Sequence, residues 1–210
     1  MTSVSSLLKR NESLDHSLSM DATLIGLVAE DIFDCLALRE EQVALAPYYE
    51  KYLPTQAAIE ELISTAGVIF APGLLDVLQS DEPPNVEYFK SLPTLQKGEH
   101  LWGVYVIVLE KDKCETLVYI GSGTKPDWGI MCRLRDYKND TNLPKYVAEA
   151  RRSGYKVVHK GLIARATIPS PDLMPKIRTL LMTMEGAFQV VFWTMYTPGG
   201  GDWGLGDLCR

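Results

Sequence analysis

Apolar positions change their period along this chain, and the change divides it. Between Asp21 and Leu36 they fall at three- and four-residue steps, at Leu24, Leu27, Val28, Ile32 and Leu36, which predicts an amphipathic helix with Asp21 as its N-cap. A second helix is expected from about Thr55 to Ala66, between Pro54 and Gly67, and a short one after Pro72. Residues 1–20 are Ser-rich and hold no sustained period, as a disordered tail would. Pro83, Pro84 and Pro93 then interrupt the pattern and mark the end of a helical region over 21–96.

Beyond that boundary the pattern becomes one of strands. Trp102–Leu109 and Thr116–Gly121 are β-branched and aromatic runs separated by the polar Lys111-Asp112-Lys113, which predicts a hairpin. Gly129–Tyr137 and Leu143–Ser153 read as helices, the second ending at Gly154, and Tyr155–Ala166 alternates as a third strand. A long apolar helix follows from Pro175 to Tyr196, with Pro175 suited to its first turn. The expected class is α+β: a small three-stranded antiparallel sheet flanked by helices over 97–196, preceded by the helical region. The Gly-rich stretch 197–210 reads as a flexible tail, and a C-terminus cut short is one account of it.

Composition favours a globular chain, with 46% hydrophobic and 23% charged residues. Charge separates the halves: residues 1–96 hold 5 Lys and Arg against 15 Asp and Glu, and residues 97–210 hold 16 against 12, or −10 against +4. Only the second half suits a polyanion, and the acidic half is the place for a protein partner or an autoinhibitory cover. Met1–Arg10 lacks the apolar core of a signal peptide. Cys35, Cys114, Cys132 and Cys209 are scattered with no CxxC pair, so free thiols in an intracellular setting, nucleus or cytoplasm, are expected.

The pattern alone admits two alternatives. A helix-turn-helix over Ala57–Gln79 would make the acidic half a DNA reader, but it carries Glu60, Glu61 and Asp76 with no Lys or Arg, so a helical cap on the next domain reads better. Thr179–Tyr196 is 18 residues with Glu185 as its only charge, near the lower limit of a membrane span. A central carboxylate opposes insertion, so a buried helix is the better reading, and it leaves Glu185 needing a partner.

The residues carrying chemistry fall in one order. Gly103-Val104-Tyr105 stands on the first expected strand and Tyr119-Ile120-Gly121 on the second; Ser122 follows, Arg133 lies on the next helix and Glu185 on the last. In this order the sequence resembles the GIY-YIG nuclease superfamily over about residues 100–195. Gly121-Ser122-Gly123-Thr124 and His159-Lys160-Gly161-Leu162 are also similar to GIY-YIG-domain proteins predicted in filamentous fungi. The resemblance implies a metal-dependent endonuclease acting on phosphodiester bonds of DNA, branched DNA included, with RNA left open. Its implied catalytic residues are Tyr105 as general base or water positioner, Tyr119 orienting water or phosphate, Arg133 clamping the phosphoryl oxygens, and Glu185 holding one Mg²⁺ or Mn²⁺ ion.

Three positions depart from the family pattern. Lys125-Pro126-Asp127-Trp128 lengthens the step to Arg133 and leaves Arg135 as its alternative, Tyr137 stands where His is frequent, and no Asn follows Asn142, with Asp202 or Asp207 as stand-ins. A catalytically inactive module of the same fold, for nucleic-acid or protein binding, is therefore the competing expectation, with Glu185 spent on an ion pair to Arg133. Lys145, Arg151, Arg152, Lys156, Lys160 and Arg165 are expected to track a phosphate backbone or to face solvent. His159 reads as a plain strand residue.

Overall fold

The computed structural model describes residues 22–37 and 47–194. The tails expected over 1–20 and 197–210, the cap at Asp21, and Asp202, Asp207 and Cys209 lie outside these residues. The elements run α1 (22–37), α2 (Pro47–Tyr52), α3 (Gln56–Thr65), β1 (Ile69–Phe70), α4 (Leu74–Leu78), α5 (Val86–Ser91), β2 (Leu101–Glu110), β3 (Leu117–Gly123), α6 (Ile130–Asn139), α7 (Lys145–Arg152), β4 (Lys156–Thr167) and α8 (Met174–Val191).

The sheet is antiparallel throughout and ordered β1-β4-β2-β3. It is an α+β fold with four strands, not three. The added strand is Ile69–Phe70, from the acidic region, which pairs Ile69 with Arg165 and Phe70 with Ala164. Ala71 N donates to the Ile163 carbonyl at 2.8 Å and extends the pairing. Two residues hold no readable period, so only the partner strand reveals them. The same strand occupies the place a helix-turn-helix would give to its turn.

Local signals explain the helix boundaries. Thr55 caps α3 by accepting from Ala58 N at 3.2 Å, and Asn85 caps α5 by accepting from Tyr88 N at 3.0 Å. Pro175 sits in the first turn of α8. Gly154, at φ 92°, follows α7 in the left-handed region, as a residue ending a helix there must.

Side chains of β2 alternate between two covered faces, which is why its run from Trp102 to Leu109 is buried without a break. Tyr105, Ile107 and Leu109 pack with Leu162 beneath Ile130 and Tyr137 of α6 and Val147 and Ala150 of α7. Val104, Val106 and Val108 face the other way, into a cluster that joins α8 through Leu180, Leu181, Met184 and Phe188 to Leu24, Val28 and Ile32 of α1 and Ile59 and Ile63 of α3. The acidic region thus shares one core with the sheet. Among the described residues no helix is long and apolar enough to cross a membrane.

Candidate active site

The hairpin register brings the two tyrosine tripeptides together. Tyr105 lies opposite Gly121 and Tyr119 opposite Ile107, so both tyrosines project on the α6 face as diagonal neighbours. The glycine is required by its neighbours: a Cβ on Gly121 would sit 2.6 Å from the Tyr105 hydroxyl and 2.9 Å from the Tyr119 ring. Tyr137 of α6 closes the group. Its hydroxyl shares a 3.0 Å hydrogen bond with that of Tyr105, the two rings meet edge-on at 5.8 Å, and the Tyr119 ring is 6.4 Å away.

Arg133, one turn earlier on α6, lays its guanidinium carbon 5.8 Å from the centre of the Tyr137 ring. Burial pushes the Tyr105, Tyr119 and Tyr137 hydroxyls above the usual phenol range, against the opposing pull of Arg133. All three are protonated at neutral pH. Tyr105 is 1% exposed, so it meets the site through Tyr137 and Arg133 and not through solvent.

Glu185 reaches the same edge of the sheet from α8. Ser122, opposite Val104, alternates onto the α8 face of β3, and its hydroxyl donates to Glu185 Oε2 at 2.5 Å. One turn along α8, the Gln189 amide donates to Glu185 Oε1 at 3.4 Å and to the Ile120 carbonyl at 3.0 Å. Burial raises the carboxyl above its ordinary range, while the Ser122 bond and the Arg133 charge hold it down. The Glu185–Arg133 ion pair does not form among the described residues: Arg133 Nη1 donates instead to Asp136 Oδ2 at 3.3 Å and to the Asn142 carbonyl at 3.2 Å. A carboxylate and a guanidinium therefore feel one another's charge without neutralising one another by contact.

Between α6, α8 and the loop after β3 lies an open pocket of about 560 Å³. Lys125, Arg133, Arg135 and Arg178 line it, with Ser122, Asp136 and Asn142. Arg178 was not anticipated, although it lies two turns before Glu185 on the same helix, a spacing that shares a face. It donates to the Thr124 carbonyl at 3.1 Å and stands 5.4 Å over the Trp102 ring, whose Nε1 donates to the Lys125 carbonyl at 2.8 Å. Gly129 makes the turn into α6 at φ 51°, where a Cβ would collide with the Leu101 carbonyl oxygen. Both Arg133 and its alternative Arg135 reach the pocket.

The other expected basic positions stand elsewhere. Arg151 is held by Asp140 through bonds of 2.9 and 2.7 Å, Lys145 lies 4.0 Å from Glu149, and Lys156 pairs in register with Glu110. Lys160 donates to the Leu134 carbonyl at 3.0 Å, and burial, with Lys138 and Arg151 nearby, lowers its pKa. Arg165 lies 3.8 Å from Glu99, and Arg152 is exposed. His159 bonds the Leu92 carbonyl at 3.0 Å, as a strand histidine would.

The Glu185 carboxylate and Ser122 hydroxyl are hard oxygen donors of the kind Mg²⁺ and Mn²⁺ take. Among the described residues no group of three or more His, Cys, Asp and Glu stands together; at this edge of the sheet Glu185 is the carboxylate that could hold such an ion, with its oxygens accepting from Ser122 and Gln189. Comparisons with protein-family models, curated proteins and solved structures match nothing to this chain.

Proposed function

We propose that this chain is a metal-dependent endonuclease of the GIY-YIG type that hydrolyses phosphodiester bonds in DNA, structured DNA included. One observation carries the reading: Glu185, bonded to Ser122 of β3, feels the charge of Arg133 without pairing with it, and Ser122 and Arg133 both line a pocket that also takes in Lys125, Arg135 and Arg178. A carboxylate to meet a cation and guanidinium groups to meet an anion are what phosphodiester hydrolysis requires of a protein.

In this reading Arg133 and Arg135 donate to the non-bridging oxygens, a task to which a planar fork is better suited than an ammonium group. Glu185 holds the ion, and Ser122 and Gln189 hold Glu185. When bound, the ion supplies charge neutralisation and stabilises the leaving oxygen. Tyr105 is a positioning residue, because its hydroxyl is protonated and buried; it fixes Tyr137 and, through it, the plane of Arg133. Tyr119, half-buried, orients water or phosphate as a donor.

The test is cleavage of branched, flapped and linear DNA with Mg²⁺ or Mn²⁺. Glu185→Ala and Arg133→Ala should each lower the rate by about 100-fold or more, the scale of losing a transition-state contact. Equal residual cleavage by wild type and both variants ends the reading.

A non-catalytic binding module is favoured by one observation, the 1% exposure of Tyr105. It predicts that Glu185→Leu raises the melting temperature and that Mg²⁺ leaves it unchanged. The nuclease reading predicts that Mg²⁺ stabilises the wild type and not the variant.

A further inference from the structure

Beside the cationic pocket stands an aromatic pair that the chemistry above leaves unused. Trp128 is 47% exposed, and its ring lies 5.0 Å from that of His100 with the planes at 51°. His100 is exposed as well. A single surface tryptophan would call for no account. This one sits on a loop that is fixed at both ends.

Gly129 N donates to the Lys125 carbonyl at 2.9 Å and closes the loop, and Met131 N donates to the Trp128 carbonyl at 3.1 Å and ties it to α6. The buried Trp102 holds the Lys125 carbonyl from below. Lys125, Pro126 and Gly129 of this loop are also walls of the pocket. One indole is thus spent on anchoring the loop, and the other, between the wall residues Pro126 and Gly129 in the chain, is left exposed.

An exposed aromatic ring on a loop that also walls a cationic pocket suits single-stranded nucleic acid. An unpaired base can stack on the ring while its phosphate meets the cations, whereas a base within a duplex already has both faces stacked. We propose that Trp128, with His100, is a stacking platform for an unpaired nucleobase, so that the substrate carries a single-stranded portion next to the phosphate held in the pocket. This rests on the nuclease reading for the use of the site and deepens it by naming the substrate class.

The experiment measures binding without cleavage. Full-length protein in EDTA is titrated by fluorescence anisotropy with a labelled oligo-dT, an oligo-rU and a blunt DNA duplex, for wild type, Trp128→Ala and Trp128→Phe. Loss of one stacked base should weaken single-strand affinity about tenfold in Trp128→Ala and leave duplex affinity unchanged, and Trp128→Phe should retain most of the affinity. The dT and rU arms tell which sugar is preferred. Equal loss on strand and duplex, loss on neither, or no binding of either single strand by the wild type overturns the proposal. A chain that binds single strands through Trp128 but cleaves nothing overturns the nuclease reading alone. A chain that cleaves but binds equally with and without the ring overturns only this inference.

Discussion

The Tyr105–Tyr137 hydroxyl pair at 3.0 Å is a bond cut off from water at both ends, since Tyr105 is 1% exposed and Tyr137 3%. Removing one end of such a bond leaves a buried hydroxyl without that partner and costs about 1–3 kcal/mol, whereas removing both is nearly neutral. Tyr137→Phe should therefore lower the unfolding free energy by that amount, and adding Tyr105→Phe should recover most of it. Additive losses in urea melts of the four chains would show that the bond does not couple them. Ser122 makes a second residue-scale prediction. Its hydroxyl holds the Glu185 carboxyl down against burial, so Ser122→Ala should raise that pKa and move the acid limb of the cleavage profile to higher pH, while Ser122→Thr restores it. An unmoved acid limb would detach Ser122 from the carboxylate. Tyr105, Tyr119, Arg133 and Glu185 were legible because each belongs to a motif or breaks a pattern, above all a carboxylate in an apolar helix. Arg178 and Lys125 were not, because a cation on a helix or loop looks the same in sequence whether it faces solvent or a pocket.

Elements long enough to show a period were legible, and of the short ones only α4, the helix expected after Pro72, was. β2, β3, β4 and the helices α6 to α8 follow the expected runs within a few residues, since each has a core face to repeat. β1, α2 and α5 offer two to six residues and are defined by what they pack against. α1 was legible as a helix, with Leu24, Val28, Ile32 and Leu36 buried along one side, but its charge balance was not. Burial first, then Glu30 and Asp34, push the Asp31 carboxyl up to about 6 from an ordinary 3.8. A carboxyl raised in the folded state supports stability below its unfolded pKa and loses that support as pH rises through the folded one. Ionised Asp31 is thus a strain on α1 near neutrality. Asp31→Asn should melt higher than wild type at pH 7, with the difference shrinking through pH 6 and vanishing below about 4, read by thermal melts across that range. A constant difference at every pH would assign the effect to helix propensity instead.

At the scale of the whole chain, the −10 and +4 halves invite a picture of two modules, with an acidic one that lifts away from a basic one. The packing opposes that picture. Leu24, Val28, Ile32, Ile59, Ile63, Leu74, Phe89 and Leu92 belong to the same cluster as Val104, Val106, Ile163 and Met184, and β1 covers part of one side of β4. Full burial of a large apolar side chain contributes about 1.5–3 kcal/mol, so these eight contribute roughly 12–24 kcal/mol, at least as much as the whole net stability of an ordinary domain, about 5–15 kcal/mol. Charge is a property of the surface and said nothing of the interior face that joins the halves. Residues 97–210 expressed alone should therefore show no cooperative thermal transition by circular dichroism, and the full chain should show one. If the shorter chain melts cooperatively and binds DNA more tightly at low salt than the full chain, the acidic half is a removable cover and the shared core contributes little. If it fails to fold, the acidic helices are part of what holds α8, and with it Glu185, against β3.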